Sequence, residues 1–559
     1  MTVETSHALY SRFLRGLETS PERPAFRVAG PGSGPGSGPG GGPGGGTASY
    51  AEVHRAALLW AGALPVPAPS GDTAGSGAES GPAGRSGAVG VLAAKGAVAY
   101  TGILAGLYAG ATVVPLHPDF PAARTRQMIE AAGVSTLVVD DRGRARAAEL
   151  SADGLDLAVL DPAAAPPDPA RALERPRPVE PGDIAYVLFT SGSTGRPKGV
   201  PITHANTAHY FALLDRRYDF TPGDVFSQTF DLTFDCAMFD LFCAWGAGAV
   251  AVPVPPHAYR DLPAFLAEQG VTVWFSTPSA ISMVRRTGGL RPGSMPGLRW
   301  SLFAGEALKC ADATDWQRAA PASTLENLYG PTELTITITA HRWDQEVSPG
   351  LGVNGMAPIG GVNDGHEHVL LDAEGRPDAA EGELWITGPQ TTPGYLDPAD
   401  DGGRFVERDG RTWYNTGDRI RRAANGELVY LGRADAQVQV RGWRVELAEI
   451  DHALRGCDGV DDAVTVSGGA DGDVELVVFY TGTPSRPADL AASLRRTLPP
   501  GIIPRHYRHL DELPLNPNRK VDRAGLAAWA ARILTGTEQA PAATPEKASP
   551  VGAASREIL

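Results

Sequence analysis

The chain has 559 residues, of which 42% are hydrophobic, and a formal net charge of −15. This length exceeds what one hydrophobic core usually fills, so two or more domains are expected. The negative charge argues against broad nucleic-acid binding. Four cysteines, Cys236, Cys243, Cys310 and Cys457, are scattered without C-x-x-C spacing, which argues against both a disulfide framework and a structural zinc site.

Neither the N-terminal segment nor the most apolar one carries an export or membrane signal. The first residues, MTVETSHALYSRFL, lack a signal-like apolar run. Residues 88–116 form the longest apolar region, but Lys95 and several glycines interrupt it. That pattern is more typical of strand, helix and strand than of a membrane span. We therefore expect a cytoplasmic protein whose partners include neither a membrane nor a nucleic acid.

Two low-complexity stretches lie near the N-terminus, at residues 30–46 and 65–87. They are rich in Gly, Pro and Ser and are predicted to be flexible insertions, because the segment between them, SYAEVHRAALLWAGAL, has apolar residues at helical spacing. From residue 88, short β-branched runs alternate with helical segments, which is the βαβ rhythm of a mostly parallel sheet. Residues 139–182, rich in Ala, Pro, Asp and Arg, are predicted to be a connection.

The pattern changes after residue 355. Hairpin-like pieces such as RIRRAANGELVYLG predict an antiparallel subdomain, and a compact α+β segment follows from about Asp435 to about residue 530. The last residues, rich in Ala, Pro, Thr and Glu, are predicted to be disordered. The predicted fold class is α/β, with a large N-terminal domain over 1–434, a small α+β domain over 435–533 and a tail over 534–559.

A glycine-rich loop follows a predicted strand at YVLFTSGSTGRPKGV, residues 186–200. Such a loop exposes backbone N–H groups, which is how proteins bind phosphate oxygens, and Lys198 adds a positive charge. A Walker A loop requires a hydroxyl directly after its lysine, whereas Gly199 follows Lys198. Taken alone, the loop also fits a flexible surface loop. Its hydroxyl donors are Thr190, Ser191, Ser193 and Thr194.

Together with this loop, six further segments resemble the successive core motifs of the adenylate-forming superfamily, which includes acyl- and aryl-CoA synthetases, luciferases and the adenylation domains of nonribosomal peptide synthetases. They are LYAGATVVPLHPDFP (107–121), NLYGPTELT (327–335), GELWITG with GYLDP (382–398), YNTGDR (414–419), GRADAQVQVRGWRVELAEI (432–450) and LPLNPNRKVDR (513–523). The resemblance spans roughly residues 8–530. It implies layered β-sheets with helices and a β-barrel-like subdomain in the large domain, and a small domain that moves about a hinge at Asp435.

The resemblance also implies a binding site for ATP and Mg²⁺. The loop from Thr190 to Lys198 would hold the β- and γ-phosphates, and Glu333 would hold Mg²⁺, a hard cation that favours carboxylate and phosphate oxygens. The implied catalytic residues are Thr190, Lys198, Thr332, Glu333 and Lys520. The other implied nucleotide-binding residues are Ser191, Gly192, Ser193, Thr194, Gly195, Gly305, Asn327, Tyr329, Gly330, Asp418 and Arg433.

Specific roles follow from the same resemblance. Tyr329 would stack on adenine, Asp418 would accept both ribose hydroxyls, and Thr332 would contact the α-phosphate. Lys520 would bridge the substrate carboxylate and the α-phosphate as negative charge builds up in the transition state. A cation at this point stabilises the transition state more than the ground state. Gln439 departs from the family pattern, because lysine is common at its position.

The segment TFDLTFDCAMFDLFCAW (229–245) resembles the amino-acid-activating branch, in which an aspartate at the position of Asp235 pairs with the substrate ammonium. A buried carboxylate without a cation is costly, so its presence implies a cationic ligand. The alternative for Asp235 is helix capping, and Asp240 is predicted to be a plain helical surface residue. The predicted pocket wall consists of Cys236, Phe239, Phe275, Leu302, Ala304, Leu328, Ile336 and Thr337.

An apolar wall suits a compact aliphatic side chain, and this one resembles that of free-standing proline adenylation enzymes and D-alanine–carrier protein ligases. L-Proline is the first choice; another small aliphatic or β-amino acid and a carboxylic acid–CoA ligase activity remain open. The expected reaction forms aminoacyl-AMP from ATP and then transfers the aminoacyl group to the phosphopantetheine thiol of a separate carrier protein, as in nonribosomal peptide and antibiotic biosynthesis.

Overall fold

A computed structural model describes residues 7–28, 46–65, 87–191, 196–372, 374–377, 380–433, 437–469, 474–514 and 521–537. The predicted insertions and the predicted tail lie outside these ranges, apart from a few flanking residues. Within the described residues, no helix has both the length and the apolar character needed to cross a membrane.

The helices alternate with strands through most of the chain. A capping box begins the helix between the two insertions: Ser49 accepts a hydrogen bond from the Glu52 N–H, and the Glu52 side chain accepts one from the Ser49 N–H. The helices are α1 Ser11–Thr19, α2 Tyr50–Ala63, α3 Ala97–Tyr108, α4 Ala122–Ala132, α5 Asp141–Ala152, α6 His204–Arg217, α7 Cys236–Gly246, α8 Leu262–Gln269, α9 Ser279–Arg286, α10 Cys310–Ala319, α11 Ser348–Leu351, α12 Leu447–Arg455, α13 Pro487–Leu494 and α14 Arg523–Leu534.

The first fourteen strands, with the fifteenth described below, belong to two large, mostly parallel sheets. They are β1 Pro24–Val28, β2 Gly46–Ser49, β3 Ala88–Leu92, β4 Thr112–Leu116, β5 Val134–Val139, β6 Ala158–Leu160, β7 Ile184–Thr190, β8 Lys198–Thr203, β9 Val225–Gln228, β10 Val250–Pro253, β11 Val273–Ser276, β12 Trp300–Phe303, β13 Thr324–Tyr329 and β14 Thr339–Arg342. One sheet has the order β6-β5-β3-β4-β7-β8, and the other contains β14-β13-β12-β11-β9-β10-β1-β2.

The remaining strands form smaller sheets, apart from the first, which extends the larger sheet beyond β14. They are β15 Gly361–Val362, β16 Glu367–Leu371, β17 Glu381–Thr387, β18 Phe405–Arg408, β19 Arg411–Arg422, β20 Leu428–Arg433, β21 Gln437–Val440, β22 Trp443–Glu446, β23 Val460–Gly468, β24 Glu475–Gly482 and β25 His506–His509. β16 to β20 make the predicted antiparallel sheet, with β19 paired to β17, β18 and β20.

The two large sheets share one core. Helix α7 is buried along its whole length, and α3 is buried from Ala99 to Tyr108. Their side chains join a single cluster with those of β3, β7, β9 and β11. Residues 437–537, which we call the small lobe, contain two further hydrophobic clusters of their own. The predicted α/β class, with an α+β segment at its C-terminal end, is confirmed.

The prediction that residues 139–182 form only a connection is wrong. Helix α5 and strand β6 occupy part of this segment. Asp140 caps α5 by accepting a hydrogen bond from the Gly143 N–H at 2.7 Å, and Leu150 packs into the core at 0% exposure. The helix buries few apolar residues beside many Arg, Asp and Ala, so its hydrophobic periodicity is weak in the sequence.

Candidate active site

Several predicted nucleotide-binding residues lie where parallel strands end. β12 ends two residues before Gly305, and β13 ends at Tyr329. Ligand sites of open α/β sheets usually form at this edge. A cavity of about 1000 Å³ opens there, and its lining includes Gly305, Tyr329, Gly330, Asp418 and Arg433. The fold therefore brings together residues that are up to 128 positions apart in the chain (433 − 305).

Three side chains form a hydrogen-bonded wall of this cavity. The Tyr329 hydroxyl donates to Oδ2 of Asp418 at 2.5 Å, and Nη1 of Arg433 donates to Oδ1 at 2.9 Å. Burial raises the pKa of Asp418, and the Arg433 guanidinium offsets part of this effect. Asn327 lies behind the wall, where its side-chain amide donates to the Pro358 carbonyl at 2.7 Å. Asn327 therefore holds the strand end in place.

Glu333 is a buried carboxylate in the same region, with 1% exposure. Its Oε1 accepts from the Tyr395 hydroxyl at 2.8 Å, and its Oε2 accepts from Nη1 of Arg444 at 3.0 Å. Burial acts to raise the pKa of Glu333, but Arg444 and the surrounding hydrogen bonds outweigh it, so the pKa lies below its usual value. Glu333 is therefore an ionised carboxylate.

The Glu333 carboxylate fits a magnesium site in which most of the ligands come from a bound phosphate compound and water. Mg²⁺ is commonly held by one or two carboxylates together with phosphate oxygens and water. In the part of the chain that the structure describes, no group of three or more His, Cys, Asp or Glu side chains could hold a metal by itself. One ionised carboxylate matches the first kind of site and not the second.

The glycine-rich loop is described only at its two ends. The hydroxyl of Ser191 donates to the carbonyl of Arg444 at 2.6 Å and accepts from the Glu446 N–H at 3.2 Å. At the other end, Nζ of Lys198 donates to the Asp400 carbonyl at 3.1 Å and lies 5.3 Å from the Tyr395 ring centroid. Gly192, Ser193, Thr194 and Gly195 lie outside the described residues, as do Asp435 and Lys520.

Asp235 lies in a second cavity, of about 100 Å³, next to the cavity of about 1000 Å³. Burial raises its pKa to about 6, and hydrogen bonds involving Thr332 and Cys236 oppose this rise. The next influence is the carboxylate of Glu333, so none of the main ones is cationic. Asp235 precedes α7 but makes no capping hydrogen bond to it. The helix-cap alternative is therefore not supported, and the carboxylate is available to a cationic ligand.

The predicted pocket wall divides into a lining and a layer behind it. Of these residues, Cys236 and Ala304 line the small cavity, and Leu328 lines the larger one. Thr190 and Thr332, which were predicted as catalytic residues, also line the small cavity. Five other predicted residues are at most 1% exposed and form the layer behind: Phe239, Phe275, Leu302, Ile336 and Thr337. The Phe275 ring packs 4.7 Å from Phe239 and 4.8 Å from Phe230, between centroids. Phe230 lines the small cavity, and the rings of Phe275 and Phe239 back it.

Gly330 lies at the junction of the two cavities, where a side chain cannot fit. A Cβ there would lie 2.7 Å from Cα of Thr337 and 2.8 Å from the backbone nitrogen of Ile338. Both neighbours are backbone atoms and cannot turn away as a flexible side chain could. Glycine at this position therefore keeps the chain after β13 close to the turn that leads into β14.

Backbone strain occurs directly behind Glu333. Thr335 and Ile336 have φ values of 56° and 71°, and positive φ is rare for β-branched residues. Gln390 holds this turn: its Nε2 donates to the carbonyls of Leu334 and Thr337 at 3.0 and 2.9 Å. Sequence reasoning missed Gln390. It lies 56 positions from Leu334 in the chain, and nothing in the sequence around it indicates the contact.

The prediction for Asp240 is wrong. Asp240 is 0% exposed, its Oδ2 accepts from the Thr229 N–H at 3.3 Å, and burial raises its pKa well above the usual range while Lys95 opposes the rise. Nζ of Lys95 donates to the Thr229 carbonyl at 2.9 Å. α7 is buried on every side, so a polar position in the helix does not imply a solvent-facing one. Asp240 and Lys95 both hydrogen-bond to Thr229, at the start of the segment that carries Asp235.

The small lobe contacts both cavities through β21 and β22, which we call the hairpin (residues 437–446). The Gly442 N–H donates to Oε1 of Glu306 at 2.6 Å. Gly442 has a φ of 84°, and a Cβ there would lie 2.9 Å from the Thr277 methyl. Gln439 lines both cavities. The approach of the hairpin therefore depends on a glycine, as close backbone contacts often do.

The chain matches the family described as AMP-binding enzyme over residues 75–396. It is 34% identical over 458 residues to the L-proline–[L-prolyl-carrier protein] ligase of Streptomyces coelicolor, covering 76% of this chain and 84% of the ligase. Other curated relatives are longer, and the chain spans 19% to 38% of some of them.

Two solved structures extend the similarity over most of the chain. The crystal structure of IdnL7 is 54% identical, with a TM-score of 0.69, and covers 94% of this chain and 99% of its own. The structure of the Vibrio cholerae adenylation domain AlmE in complex with glycyl-adenosine-5′-phosphate is 25% identical, with a TM-score of 0.76, and covers 94% of this chain and 98% of its own.

Proposed function

Because the chain belongs to the AMP-binding enzyme family and is an adenylate-forming enzyme of the amino-acid-activating kind, we propose that it activates a small aliphatic amino acid, with L-proline as the first choice. The product is an aminoacyl-AMP, and the aminoacyl group then passes to the phosphopantetheine thiol of a separate carrier protein. The named substrate of the similar Streptomyces ligase supports proline.

The observation that carries this proposal is the buried carboxylate of Asp235. It is 8% exposed, and burial raises its pKa to about 6, with no cation among the main influences on it. An amino acid supplies the missing cation in its α-ammonium group, and a close ion pair of this kind favours the charged form of the carboxylate. A fatty or aryl acid brings no such group and would leave the carboxylate buried and unpaired.

The shape of the cavity supports a small side chain. Asp235, Cys236, Ala304 and Phe230 line it, and the rings of Phe275 and Phe239 pack in sequence behind Phe230. A bulky or polar side chain would need these rings to move, and it would leave polar groups unpaired. Proline, alanine and 2-aminobutyrate have side chains of the size that suits this cavity best.

The neighbouring cavity supports ATP as the second substrate. Asp418 presents its carboxylate for the ribose hydroxyls, Tyr329 offers an aromatic face for adenine, and Glu333 would hold Mg²⁺. The ion supplies positive charge next to the phosphates. Lys520 is proposed, from the motif resemblance, to stabilise the charge that develops at the α-phosphate.

A passage at the contact between the small lobe and the rest of the chain supports the transfer step. The lining of the small cavity continues from Asp235 to apolar residues of both parts, including Phe120, Met128, Trp443 and Ile502. A narrow, mostly apolar passage suits the flexible arm of a carrier protein, which must reach an adenylate enclosed between the two lobes.

Amino-acid-dependent exchange of pyrophosphate into ATP tests the proposal on the purified chain. A panel of proline, alanine, 2-aminobutyrate, valine, leucine, lysine, β-alanine, octanoate and benzoate should give exchange with the small aliphatic amino acids. Asp235→Ala should abolish it, and Asp153→Ala, which changes an aspartate that is 60% exposed, should not. Exchange driven by octanoate or benzoate but by no amino acid would contradict the proposal.

A further inference from the structure

Tyr395 contacts both the carboxylate proposed for Mg²⁺ and the lysine predicted for the phosphates. Its hydroxyl donates to Oε1 of Glu333 at 2.8 Å, and Nζ of Lys198 lies 5.3 Å from the centroid of its ring. Lys198 begins β8, the strand after the glycine-rich loop, and Glu333 follows β13. One side chain therefore joins two oppositely charged groups of the nucleotide site that come from different parts of the chain.

The backbone on each side of Tyr395 is tied to the same two parts of the chain. The Thr392 N–H donates to the carbonyl of Glu333 at 2.9 Å, and the Leu396 N–H donates to the carbonyl of Gly199 at 2.9 Å. Leu396 also packs directly on Gly199, where a Cβ would lie 2.6 Å from Cδ1 of the leucine. The segment that carries Tyr395 is therefore held both to Glu333 and to the start of β8.

The hydroxyl contact orients the carboxylate. Because Tyr395 takes Oε1, Oε2 of Glu333 is the oxygen that faces a cation, and it accepts from Arg444 at 3.0 Å in this structure. Hydrogen bonds of this kind hold the carboxylates that bind metals, and their loss typically costs about 10- to 100-fold in metal affinity or activity. The hydroxyl thus presents one oxygen of Glu333 to Mg²⁺, whose other ligands would be phosphate oxygens and water.

The ring contact holds the cation. An ammonium group is attracted to the face of an aromatic ring, and Nζ of Lys198 also donates to the Asp400 carbonyl at 3.1 Å. Neither the ring nor the carbonyl carries a formal charge. A direct pair of Lys198 with Glu333 would instead neutralise both groups. Tyr395 gives each of the two charges a neutral partner, so that both remain available to a ligand.

We propose that Tyr395 is a positioning residue for adenylation: its hydroxyl fixes Glu333 for Mg²⁺, and its ring fixes Lys198 for the β- and γ-phosphates. This inference rests on the ATP and Mg²⁺ sites of the proposed function and does not depend on which amino acid is activated. The two contacts are separable. Tyr395→Phe removes the hydroxyl and keeps the ring, which packs edge-on against Phe405 at 5.4 Å between centroids, whereas Tyr395→Leu removes both.

Calorimetric binding of α,β-methylene-ATP, which cannot release pyrophosphate, tests this without turnover. Each protein is titrated with the analogue in Mg²⁺ and again in EDTA. In Tyr395→Phe, the Kd of the magnesium complex should rise about tenfold or more, while the Kd of the metal-free analogue stays within about twofold. In Tyr395→Leu, both constants should rise, that of the metal-free analogue by about fivefold or more, because the ammonium group has lost the ring.

Two controls separate this role from a general loss of structure. Tyr480→Phe is the matched variant, because the Tyr480 hydroxyl donates to the Ser485 carbonyl within the small lobe, and it should leave both constants unchanged. AMP, which lacks the β- and γ-phosphates, should bind all four proteins within about twofold. Tyr395→Phe decides the metal role even where Tyr395→Leu has lost its structure.

The proposal is overturned if Tyr395→Phe binds the magnesium complex as tightly as the natural protein or weakens both forms of the analogue equally. It is also overturned if Tyr395→Leu, with normal AMP binding, binds the metal-free analogue as tightly as the natural protein. A natural protein that binds the analogue but shows pyrophosphate exchange with no amino acid would instead contradict the amino-acid part of the proposed function, and the titrations would still decide the role of Tyr395.

Discussion

Arg124 of α4 and Glu449 of α12 form an ion pair of 2.6 Å between the large part of the chain and the small lobe, with 6% and 0% side-chain exposure. Among the described residues, Nε of Arg124 and Oε2 of Glu449 have no hydrogen-bond partner. A buried pair that leaves donors and acceptors unsatisfied gains little over an apolar contact of the same volume. The pair therefore specifies how the lobes meet more than it stabilises the fold.

Single substitutions of this pair should cost more than the double one. Arg124→Met and Glu449→Leu each leave an unpaired buried charge, and each should lower the free energy of unfolding by about 3–5 kcal/mol. The double variant should recover most of that loss. Urea unfolding of the four proteins measures the coupling, and losses that simply add in the double variant would contradict this account.

Activity should depend on the ionisation of Asp235. Its pKa in the empty pocket is about 6, above the value of about 3.9 for an unfolded aspartate. The charged form pairs with the ammonium group, so kcat/KM for the amino acid should rise through about pH 6 and level off above it, while the KM for ATP changes little. Because the pKa is raised by folding, the free energy of unfolding of the free protein should fall as the pH rises from about 4 to about 6. A pH profile of kcat/KM that is flat from 5 to 8 would count against this role.

Replacing Asp240 by asparagine should stabilise the folded protein. Burial raises its pKa well above the usual range, so a charged carboxylate at this position costs free energy in the folded state at neutral pH. Asp240→Asn removes that cost and keeps an oxygen for the Thr229 N–H. The variant should unfold at a higher urea concentration than the natural protein at pH 7, and the difference should shrink below about pH 4. Equal stability of the two proteins at pH 7 would show that Lys95 compensates the charge fully.

Phe275 should set the depth of the amino-acid pocket. Its ring fills the space between Phe230 and Phe239. Phe275→Leu replaces the ring by a shorter apolar side chain and should therefore deepen the pocket. We expect pyrophosphate exchange with valine and leucine to gain relative to exchange with the smallest substrates, by a factor of about 10 or more for each methylene accommodated. Ala304→Val is the opposite change and should favour the smallest substrates. An unchanged order of preference in both variants would place the specificity elsewhere.

Gln390 should affect amino-acid binding, although it is not among the residues predicted to contact the substrate. Its side chain donates to carbonyls on both sides of the strained Thr335–Ile336 turn. Gln390→Ala leaves these buried acceptors unsatisfied, at a cost of about 1–3 kcal/mol. The KM for the amino acid should rise more than the KM for ATP. An equal rise in both would indicate a general loss of stability, which urea unfolding measures independently.

The sequence motifs predicted the strand ends well because the loops after β7 and β13 carry short, dense patterns of glycine, hydroxyl and acidic residues. They could not reveal the contacts that join distant parts of the chain. Arg444 meets Glu333 across 111 positions, and Gln390 meets Leu334 across 56. Asp240 was misjudged for a related reason: the alternation of polar and apolar residues indicates a solvent-facing side only where a helix has one, and α7 has none.

The central claim is that Asp235 recognises a substrate ammonium group, and matched acids with and without that group test it most directly. Pyrophosphate exchange should be compared for L-proline against cyclopentanecarboxylate and for L-alanine against propionate. The natural protein should prefer the amino acid of each pair by at least about a hundredfold, as expected for a buried charge pair, and Asp235→Ala should lose that preference. Equal exchange with both members of a pair in the natural protein, or an undiminished preference in Asp235→Ala, would contradict the claim.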